Sequence, residues 1–597
     1  MSFTLIIAEK PSVARDIARV IQANQSEEGF LKKDGYRVTW AIGHLVTLPQ
    51  PHEVDPDWKV WRQATLPMLP EKWPLQVIDK TRAQFNIVKN LLKECRSIIC
   101  ATDAGREGEL IFQYIYEAAH CRKPVQRLWI SSLTPDAIQN GLNHLQPLNP
   151  HLADAARGRS CADWLIGMNL SRAYSLSYGD SFFVGRVQTP TLAMIVKRDQ
   201  EIQNFVPEDY IHLNAYFSTP TGDYEGYYIG DESCPESLKR VSAKKLPPDL
   251  AEAQKSVERI KGGQAHVQSV ECNQVSQPPP LLYDLTELQR HANRLYRFSA
   301  THTLNTAQAL YEKHKLISYP RTDSRYLSES VGKTLPSIVG GIRNDYSDVI
   351  FQKTDFSKSL SSRFIKDSEV TDHHAIIPTG LSGHTKNLTR DEKSIFDLIC
   401  RRLFMAYSID YVTSITTVLT GVRERKKVTA EASSEVASIF RSQGTVIDQL
   451  GWKNLEVQFS DAKLSEEKLL PVGLEKNLHV QILDVKAMPR KTKAPPHLTE
   501  AALLTAMETA GRTLDDQALA AVIRNSGLGT PATRAGIIET LLIRSYIERQ
   551  EKFLVSTNLG QKLIETVHPS VKSPELTARW EKGLAEIQSG RQSLQNF

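Results

Sequence analysis

The chain has 597 residues, of which 41% are hydrophobic and 24% are charged, and its formal net charge is +5. This length predicts about three to five domains, and the small positive excess permits a polyanionic partner without requiring one. No apolar stretch reaches the roughly 20 residues of a membrane span, no secretory signal precedes the first predicted strand, and the seven cysteines form no Cys-x-x-Cys pair. These absences argue against a membrane protein and a zinc ribbon, and they predict a protein of the reducing cytoplasm.

Two strand-to-helix junctions rich in carboxylates lie in the first 150 residues. The apolar run 3–8 predicts a strand that ends at Glu9, and the run 97–101 predicts a second strand followed by Asp103 and Glu107. Functional groups of an open α/β sheet gather beyond the carboxyl ends of its strands, so these three carboxylates are expected to converge. Converging carboxylates repel unless a cation joins them, and Mg²⁺ takes such oxygen ligands. The alternative is that the carboxylates merely favour a helix N-terminus through its dipole.

The elements that follow indicate a chain that leaves its domains and returns to them. Helical patterns cover four segments, residues 153–176, 185–202, 286–296 and 300–312. Alternating apolar and polar residues predict β-strands over 210–275 and 412–419. Proline-rich breakers separate these regions at 146–150, 277–280 and 491–496.

Tyr319 is the candidate covalent nucleophile. It ends a short apolar run that predicts a strand, and Pro320 restricts the backbone before it to extended conformations. Arg321 lies on the same side as Tyr319 if the chain stays extended, where a guanidinium can hold a phosphate and offset developing charge. The alternative for an isolated Tyr-Pro pair is a turn with a half-buried tyrosine.

Two later segments combine glycine, hydroxyl and guanidinium groups near predicted helix starts, which is a pattern that grips phosphates. They contribute Arg186, Thr530 and Arg534. Four aromatic residues are either stacking platforms for single-stranded nucleic acid or core residues, namely Tyr174, Tyr178, Phe182 and Phe183.

Six motifs in this order resemble those of the type IA DNA topoisomerases, and of the bacterial topoisomerase III group in particular. Besides the acidic junctions they are residues 41–45, 185–191, 319–323, 372–379 and 527–535. The resemblance implies a multidomain α/β plus α+β fold with an N-terminal Toprim domain and a toroidal core. It implies a Toprim domain at 1–150, a helical gate base at 151–210 and 493–597, a β-rich arch at 211–277 and 406–492, and a tyrosine domain at 278–405.

The resemblance also implies roles for individual side chains. Tyr319 would cleave the strand, Lys10 and Arg321 would add positive charge, Glu9 would protonate the leaving oxygen, and His373 would lie in the active site. DNA contacts are expected from six residues, His44, Arg186, Gln188, Thr189, Thr530 and Arg534.

One departure from the family concerns the metal site. The family often carries Asp-x-Asp-x-Glu at the second junction, whereas this chain has Gly105 between Asp103 and Glu107. Either Glu109 supplies a third carboxylate from one helical turn away, or Asp103 and Glu107 suffice with substrate phosphate. A substitution at Gly105 also risks strain if the glycine has a positive φ.

The function expected from these features is an ATP-independent topoisomerase that relaxes negative supercoils or decatenates DNA with Mg²⁺. The phosphate-loop lookalike at 332–334 has Leu327 where the first glycine should be, which agrees with ATP independence. The alternatives are a Toprim nuclease or primase, and a non-catalytic single-strand binder. We expect DNA as the partner, a helicase or single-strand-binding protein as a possible second one, a monomeric state, and a place at the nucleoid.

Overall fold

The computed structural model describes residues 3–597 apart from 131–134, 235, 237–238, 347–355, 358, 371–372, 382–386, 424–435, 458–467 and 525–526. The first part of the chain forms a six-stranded sheet with the strand order Gln25–Glu27, Phe30–Lys33, Tyr36–Trp40, Thr4–Ala8, Ser97–Ala101 and Val125–Arg127. The two predicted strands are central and parallel, with Ala8 opposite Ala101. This register brings the residues after both strands to one edge of the sheet, as predicted.

Helices cover both faces of this sheet, which is why strand residues such as Leu5, Ile6 and Ile7 are fully buried. The helices are Pro11–Val20, Pro51–Val54, Arg82–Glu94, Arg106–Ala118 and Pro135–Asn143. A two-stranded sheet of Val46–Thr47 and Gln76–Val77 lies beside them. The predicted α/β character of the N-terminal part is therefore confirmed.

A helical unit is built from two segments that are distant in sequence. Its first segment contains Pro150–Tyr178 and Gln188–Gln203. Its second contains Glu500–Glu508, Gln517–Arg524, Pro531–Ile543, Asn558–Thr566, Pro569–Lys572 and Pro574–Gln588, with a three-stranded sheet of Leu498–Thr499, Phe553–Ser556 and Ile547–Gln550. Both segments contribute to one hydrophobic core, in which Leu192 and Ile195 lie with Leu503 and Ile538.

A closed six-stranded barrel stands between the segments of the helical unit in sequence. Its strands follow the order Gly222–Asp231, Ser438–Gln449, Tyr411–Arg423, Gln264–Gln277, His479–Lys491 and Asp209–Thr219. The alternation over 210–275 predicts strands, but the region also contains the helix Leu250–Lys261. The buried face of that helix, Ala253, Val257 and Ile260, packs into the barrel core.

Tyr319 lies in a unit that contains the helices Leu285–Tyr296, Ala300–Glu312, Glu329–Gly332, Leu335–Ile342, Arg390–Ala406 and, at its border, Lys453–Val457. The predicted strand before Tyr319 is instead a single antiparallel bridge between Ile317 and Pro378. The run is too short to form a ladder, although Leu316 and Ile317 are buried as expected for an apolar strand. In the part of the chain that the structure describes, no helix has the length and apolarity that crossing a membrane demands.

Candidate active site and nucleic-acid interface

Glu9 and Asp103 meet at the carboxyl edge of the central strands. The backbone N–H of Asp103 donates a hydrogen bond to Oε2 of Glu9 at 3.1 Å. The ammonium group of Lys10 lies between the two carboxylates, 2.5 Å from Oδ2 of Asp103 and 3.3 Å from Oε1 of Glu9. This acidic edge of the sheet therefore carries two carboxylates, Glu9 and Asp103, that are joined by the ammonium group of Lys10.

Tyr319 lies against this cationic bridge. The Lys10 ammonium is 4.2 Å from the centre of the Tyr319 ring. The ring also contacts His373, with ring centres 4.4 Å apart, and Tyr311, with ring centres 5.3 Å apart in an edge-to-face arrangement. A cavity of about 210 Å³ opens beside Asp103, Tyr319 and His373. The phenol of Tyr319 is thus brought to the acidic edge, although Tyr319 lies more than 200 residues after Asp103 in the sequence.

The backbone on both sides of Tyr319 is held by the segment that carries His373. Ser318 donates its N–H to the carbonyl of Ile377 at 2.8 Å, and the hydroxyl of Thr322 donates to the carbonyl of His373 at 2.8 Å. Nε2 of His373 lies 3.4 Å from Oδ2 of Asp103. The neighbouring His374 donates through Nδ1 to a backbone carbonyl instead, which assigns the tyrosine contact to His373. Asp372 of the same motif lies outside the described residues.

The surroundings of Glu9 and Asp103 shift the pKa values of these two carboxyl groups in opposite directions. Burial, together with the negative charge of Asp103, raises the pKa of Glu9 above its ordinary value. Burial also opposes ionisation of Asp103, but hydrogen bonds and charge from His373 and Lys10 hold its pKa below the usual range. Burial raises the pKa of Tyr319 despite the opposing charge of Lys10. Glu9 is therefore the carboxyl group better suited to carry a proton, and Asp103 remains ionised.

Glu107 and His44, the next pair along this edge, contact each other. His44 Nε2 is 2.6 Å from Oε1 of Glu107. Burial opposes the charge on His44, but the contact with Glu107 raises its pKa. The hydrogen bond to His44 lowers the pKa of Glu107, whose side chain is 63% exposed. A carboxylate this accessible can exchange its imidazole partner for another cation.

Glu109 lies apart from this group. Its side chain is 3% exposed and pairs with the guanidinium of Arg127, which is 1% exposed, at 3.0 Å. Arg127 also donates hydrogen bonds to the backbone carbonyls of Thr102 at 2.7 Å and Asp103 at 2.6 Å. The structure therefore places Glu109 in an internal ion pair that braces the junction, and not beside Asp103 and Glu107 as the first of the two alternatives requires.

The carboxylate oxygens at this edge are of the kind that Mg²⁺ binds, but in this structure they contact side chains of the protein. Among the described residues, no three His, Cys, Asp or Glu side chains converge as a metal site. Glu9 and Asp103 converge on Lys10, and Glu107 faces His44. Gly105 is extended, with φ −165° and ψ 178°, so the anticipated strain from a positive φ does not arise there.

A groove of about 780 Å³ lies beside the acidic edge and is lined by the helical unit and the first domain. Gln188, Thr530 and Arg186 line it, as do several basic residues that the sequence reasoning missed, namely Lys59, Arg106, Arg159, Arg172 and Arg544. Arg544 donates a hydrogen bond to Gln188 at 2.7 Å and lies 4.4 Å from the ring centre of Phe183.

Two residues expected to contact DNA are instead internal. Arg534 is 2% exposed and donates to the hydroxyl of Thr286 at 3.0 Å. Thr189 is 1% exposed, and its hydroxyl accepts a hydrogen bond from the N–H of Gly185 at 3.0 Å. Of the four candidate aromatic platforms, Phe182 is fully buried, whereas Tyr178 is 51% exposed and stacks on Tyr174.

Comparison with known proteins decides between the functions considered for this chain. Residues 147–597 match the family described as DNA topoisomerase, and residues 4–133 match the family described as Toprim domain. The chain belongs to the type IA DNA topoisomerase family. It is therefore an ATP-independent topoisomerase. The alternative hypotheses, a Toprim nuclease or primase and a non-catalytic single-strand binder, are not favoured.

Individual relatives agree with this placement. The chain is 39% identical to a protein of Bacillus cereus named DNA topoisomerase 3, over 100% of this chain and 80% of that relative. It is 36% identical to DNA topoisomerase 3 of Bacillus subtilis, over 99% of this chain and 79% of the relative. Full-length topoisomerase I of Thermotoga maritima shares the fold, with a TM-score of 0.67, 22% identity, and coverage of 99% of this chain and 88% of that one.

Within this type IA topoisomerase, several residues of the site gave no recognisable signal in the sequence. Arg127 and Glu581 occupy ordinary positions of a strand and a helix. Arg159 and Arg172 lie on the long helix Pro150–Tyr178, where arginine is usually a solvated surface residue. Their convergence depends on packing between segments far apart in sequence, so no local pattern predicts it.

Proposed function

We propose that Tyr319 attacks a phosphodiester of single-stranded DNA and becomes linked to the 5′-phosphate. The observation that carries this proposal is the position of the Tyr319 ring, which contacts both the Lys10 ammonium and His373 at the acidic edge. The tyrosine oxygen forms the new bond to phosphorus and loses its proton to solvent water. The bond from phosphorus to the 3′-oxygen breaks, and that oxygen leaves with a proton. One phosphodiester replaces another, so passage of a second strand and religation need no nucleotide hydrolysis.

The neighbouring groups suit the charges that develop in this exchange. Lys10 and Arg321 stabilise the reacting phosphate, and Arg321 is exposed and held by a hydrogen bond to Gln308 at 2.9 Å. Glu9, whose pKa is raised, gives its proton to the leaving 3′-oxygen and takes it back during religation. His373 positions the phenol and Asp103 through its contacts with both.

Mg²⁺ is the proposed cofactor, with Asp103 and Glu107 as the residues that would hold it and Glu9 as a third ligand once it has given up its proton. Bound there, the ion would neutralise phosphate charge and position the broken ends for religation. Glu109 no longer belongs to this set, because its carboxylate is paired with Arg127. Binding requires Lys10 to yield part of its contact with Asp103, since the ammonium stands between the carboxylates.

We predict that Gly105→Asp lowers the Mg²⁺ concentration needed for half-maximal relaxation, by about threefold or more. An aspartate adds one oxygen ligand, and the extended backbone at this helix N-cap accepts it without strain. The measurement is supercoil relaxation across a Mg²⁺ titration. Glu109→Gln is the matched control. It should leave the Mg²⁺ requirement unchanged and lower the unfolding temperature, because Arg127 loses its partner. A raised requirement in Glu109→Gln would return Glu109 to the metal site.

The substrate is proposed to be a single-stranded segment of negatively supercoiled or catenated DNA, lying in the groove. A helicase or single-strand-binding protein would supply such segments, and the enzyme would act as a monomer at the nucleoid. We propose the domain limits given above, 1–150, 151–210 with 493–597, 211–277 with 406–492, and 278–405. The gate would open when the tyrosine unit lifts away from the acidic edge.

Two arginines at the ends of one helix give a matched test of the groove. Arg544→Ala is expected to weaken binding of a single-stranded oligonucleotide and to reduce the slope of log affinity against log salt by about 0.7. Arg534→Ala should leave the slope unchanged and lower the unfolding temperature, because its guanidinium is buried. Fluorescence anisotropy at several salt concentrations measures the salt slopes of both variants, and thermal denaturation measures their unfolding temperatures. Equal slopes for Arg544→Ala and the parent would place the DNA elsewhere.

The proposed activity is tested by incubating the protein with labelled single-stranded DNA and then adding detergent. A topoisomerase of this mechanism leaves a covalent protein–DNA adduct, whereas a nuclease leaves free fragments. Relaxation of negatively supercoiled DNA with Mg²⁺ and without ATP should accompany the adduct. Cleavage without an adduct would overturn the proposal.

A further inference from the structure

Three guanidinium groups converge on one carboxylate in the groove. Arg159 donates to both oxygens of Glu581, at 2.9 and 2.6 Å. Arg186 donates to Oε1 of Glu581 at 3.3 Å, and Arg106 lies 3.6 Å from Oε2. The side chain of Glu581 is 11% exposed, and burial opposes its ionisation, yet the three arginines hold its pKa below the usual range.

The arginines do not all depend on Glu581 for their positions. Arg186 also pairs with Asp163 at 3.0 Å, and its guanidinium lies 5.2 Å from the ring centre of Trp580. In Arg159, Nε is buried without a hydrogen-bond partner in the described part of the chain. The carboxylate therefore leaves one buried donor of the cluster unused.

This cluster is continuous with the acidic edge. Arg106 immediately precedes Glu107 at the start of the helix Arg106–Ala118. Arg106, Arg159, Arg186 and Glu581 all line the same groove. An anion bound to these arginines would lie along the path from the groove to the acidic edge.

The charge balance of the cluster matches an exchange of anions. Three guanidiniums are in direct contact with two carboxylates, Glu581 and Asp163, and the latter is 44% exposed. The charges of Arg106 and Arg159 also lower the pKa of Glu107, which is a third carboxylate nearby. Arginine binds carboxylate and phosphate by the same bidentate geometry, so a phosphate can replace Glu581 without changing the sign of the site. A phosphate also offers more acceptor oxygens than a carboxylate, which suits the unused donor of Arg159.

We propose that Glu581 occupies the place of one DNA backbone phosphate, and that the phosphate displaces it from Arg106, Arg159 and Arg186 when single-stranded DNA enters the groove. This inference rests on the proposed function, because it assumes DNA in the groove. Glu581 thereby competes with the substrate, which weakens binding and favours release of DNA after religation.

The test compares three variants of the full-length chain in binding a labelled single-stranded oligonucleotide. Glu581→Gln removes the competing charge and is expected to bind about three- to tenfold more tightly at low salt. Its salt slope should be steeper by up to about 0.7, because no carboxylate takes up a cation when the phosphate arrives. Glu581→Asp keeps the charge on a shorter side chain and should lie between Glu581→Gln and the parent. Glu575→Gln is the control, since this half-exposed residue of the same helix pairs with Arg579.

Unfolding temperatures of all variants separate loss of stability from loss of competition. If Glu581→Gln is unstable, the charge-retaining Glu581→Asp still decides the matter, because a shorter reach must tighten DNA binding under the proposal. Affinities of both variants at or below that of the parent would overturn it and make Glu581 a structural brace. Failure of the proposed function looks different, since the parent chain would then form no adduct with the oligonucleotide.

Discussion

Tyr319→Phe is expected to abolish both the covalent adduct and the relaxation of supercoiled DNA, while single-strand binding stays within a few-fold of the parent. The hydroxyl is the nucleophile, whereas the ring keeps its contacts with Lys10 and His373. Adduct formation after detergent treatment, relaxation on gels and anisotropy measure the three properties.

Tyr311 provides the matched control for this substitution. Its ring meets Tyr319 edge to face, with ring centres 5.3 Å apart, so it shares the surroundings of the nucleophile. Tyr311→Phe should retain the adduct. Cleavage by Tyr319→Phe at the parent rate would remove Tyr319 from the mechanism.

Lys10→Ala is expected to lower the rate of single-turnover cleavage by about 10²–10³, because the phosphate loses a charged donor next to the nucleophile. The same change leaves Glu9 and Asp103 without the cation that joins them, so their mutual repulsion rises. Cleavage of a labelled oligonucleotide with enzyme in excess measures the rate.

The control for Lys10→Ala is Lys93→Ala, since Lys93 is an exposed residue on another helix of the same domain. This variant should cleave at the parent rate. If Lys10→Ala also cleaved at that rate with an unchanged Mg²⁺ requirement, the ammonium group would be a structural bridge and nothing more.

The acidic edge could be predicted from the sequence because the carboxyl ends of parallel strands lie at the same edge of a sheet. Once 3–8 and 97–101 were assigned as strands of one sheet, Glu9 and Asp103 had to emerge together, and the register of Ala8 with Ala101 agrees. The contact of Tyr319 with that edge was not predictable in the same way. It depends on how a distant unit packs, and only the family resemblance anticipated it.

Glu109 shows where a pattern misled. Residues 107 and 109 lie two positions apart on one helix, about 200° around its axis, so they face opposite sides. Glu107 is exposed at the site, and Glu109 is buried against Arg127. Arg534 is a similar case, because a guanidinium near a helix start can point inward as well as toward a phosphate, and burial here selects the first.

Covalent catalysis by Tyr319 is tested by identifying the atom of the protein and the end of the DNA that become joined. An oligonucleotide labelled at either its 5′ or its 3′ end is cleaved, the reaction is denatured, and the DNA-linked peptide is sequenced by mass spectrometry. We expect a phosphodiester on Tyr319, retention of the 3′ label with the protein, and release of the 5′-labelled fragment with a free 3′-hydroxyl. An adduct on another residue, or retention of the 5′ label, would contradict this mechanism.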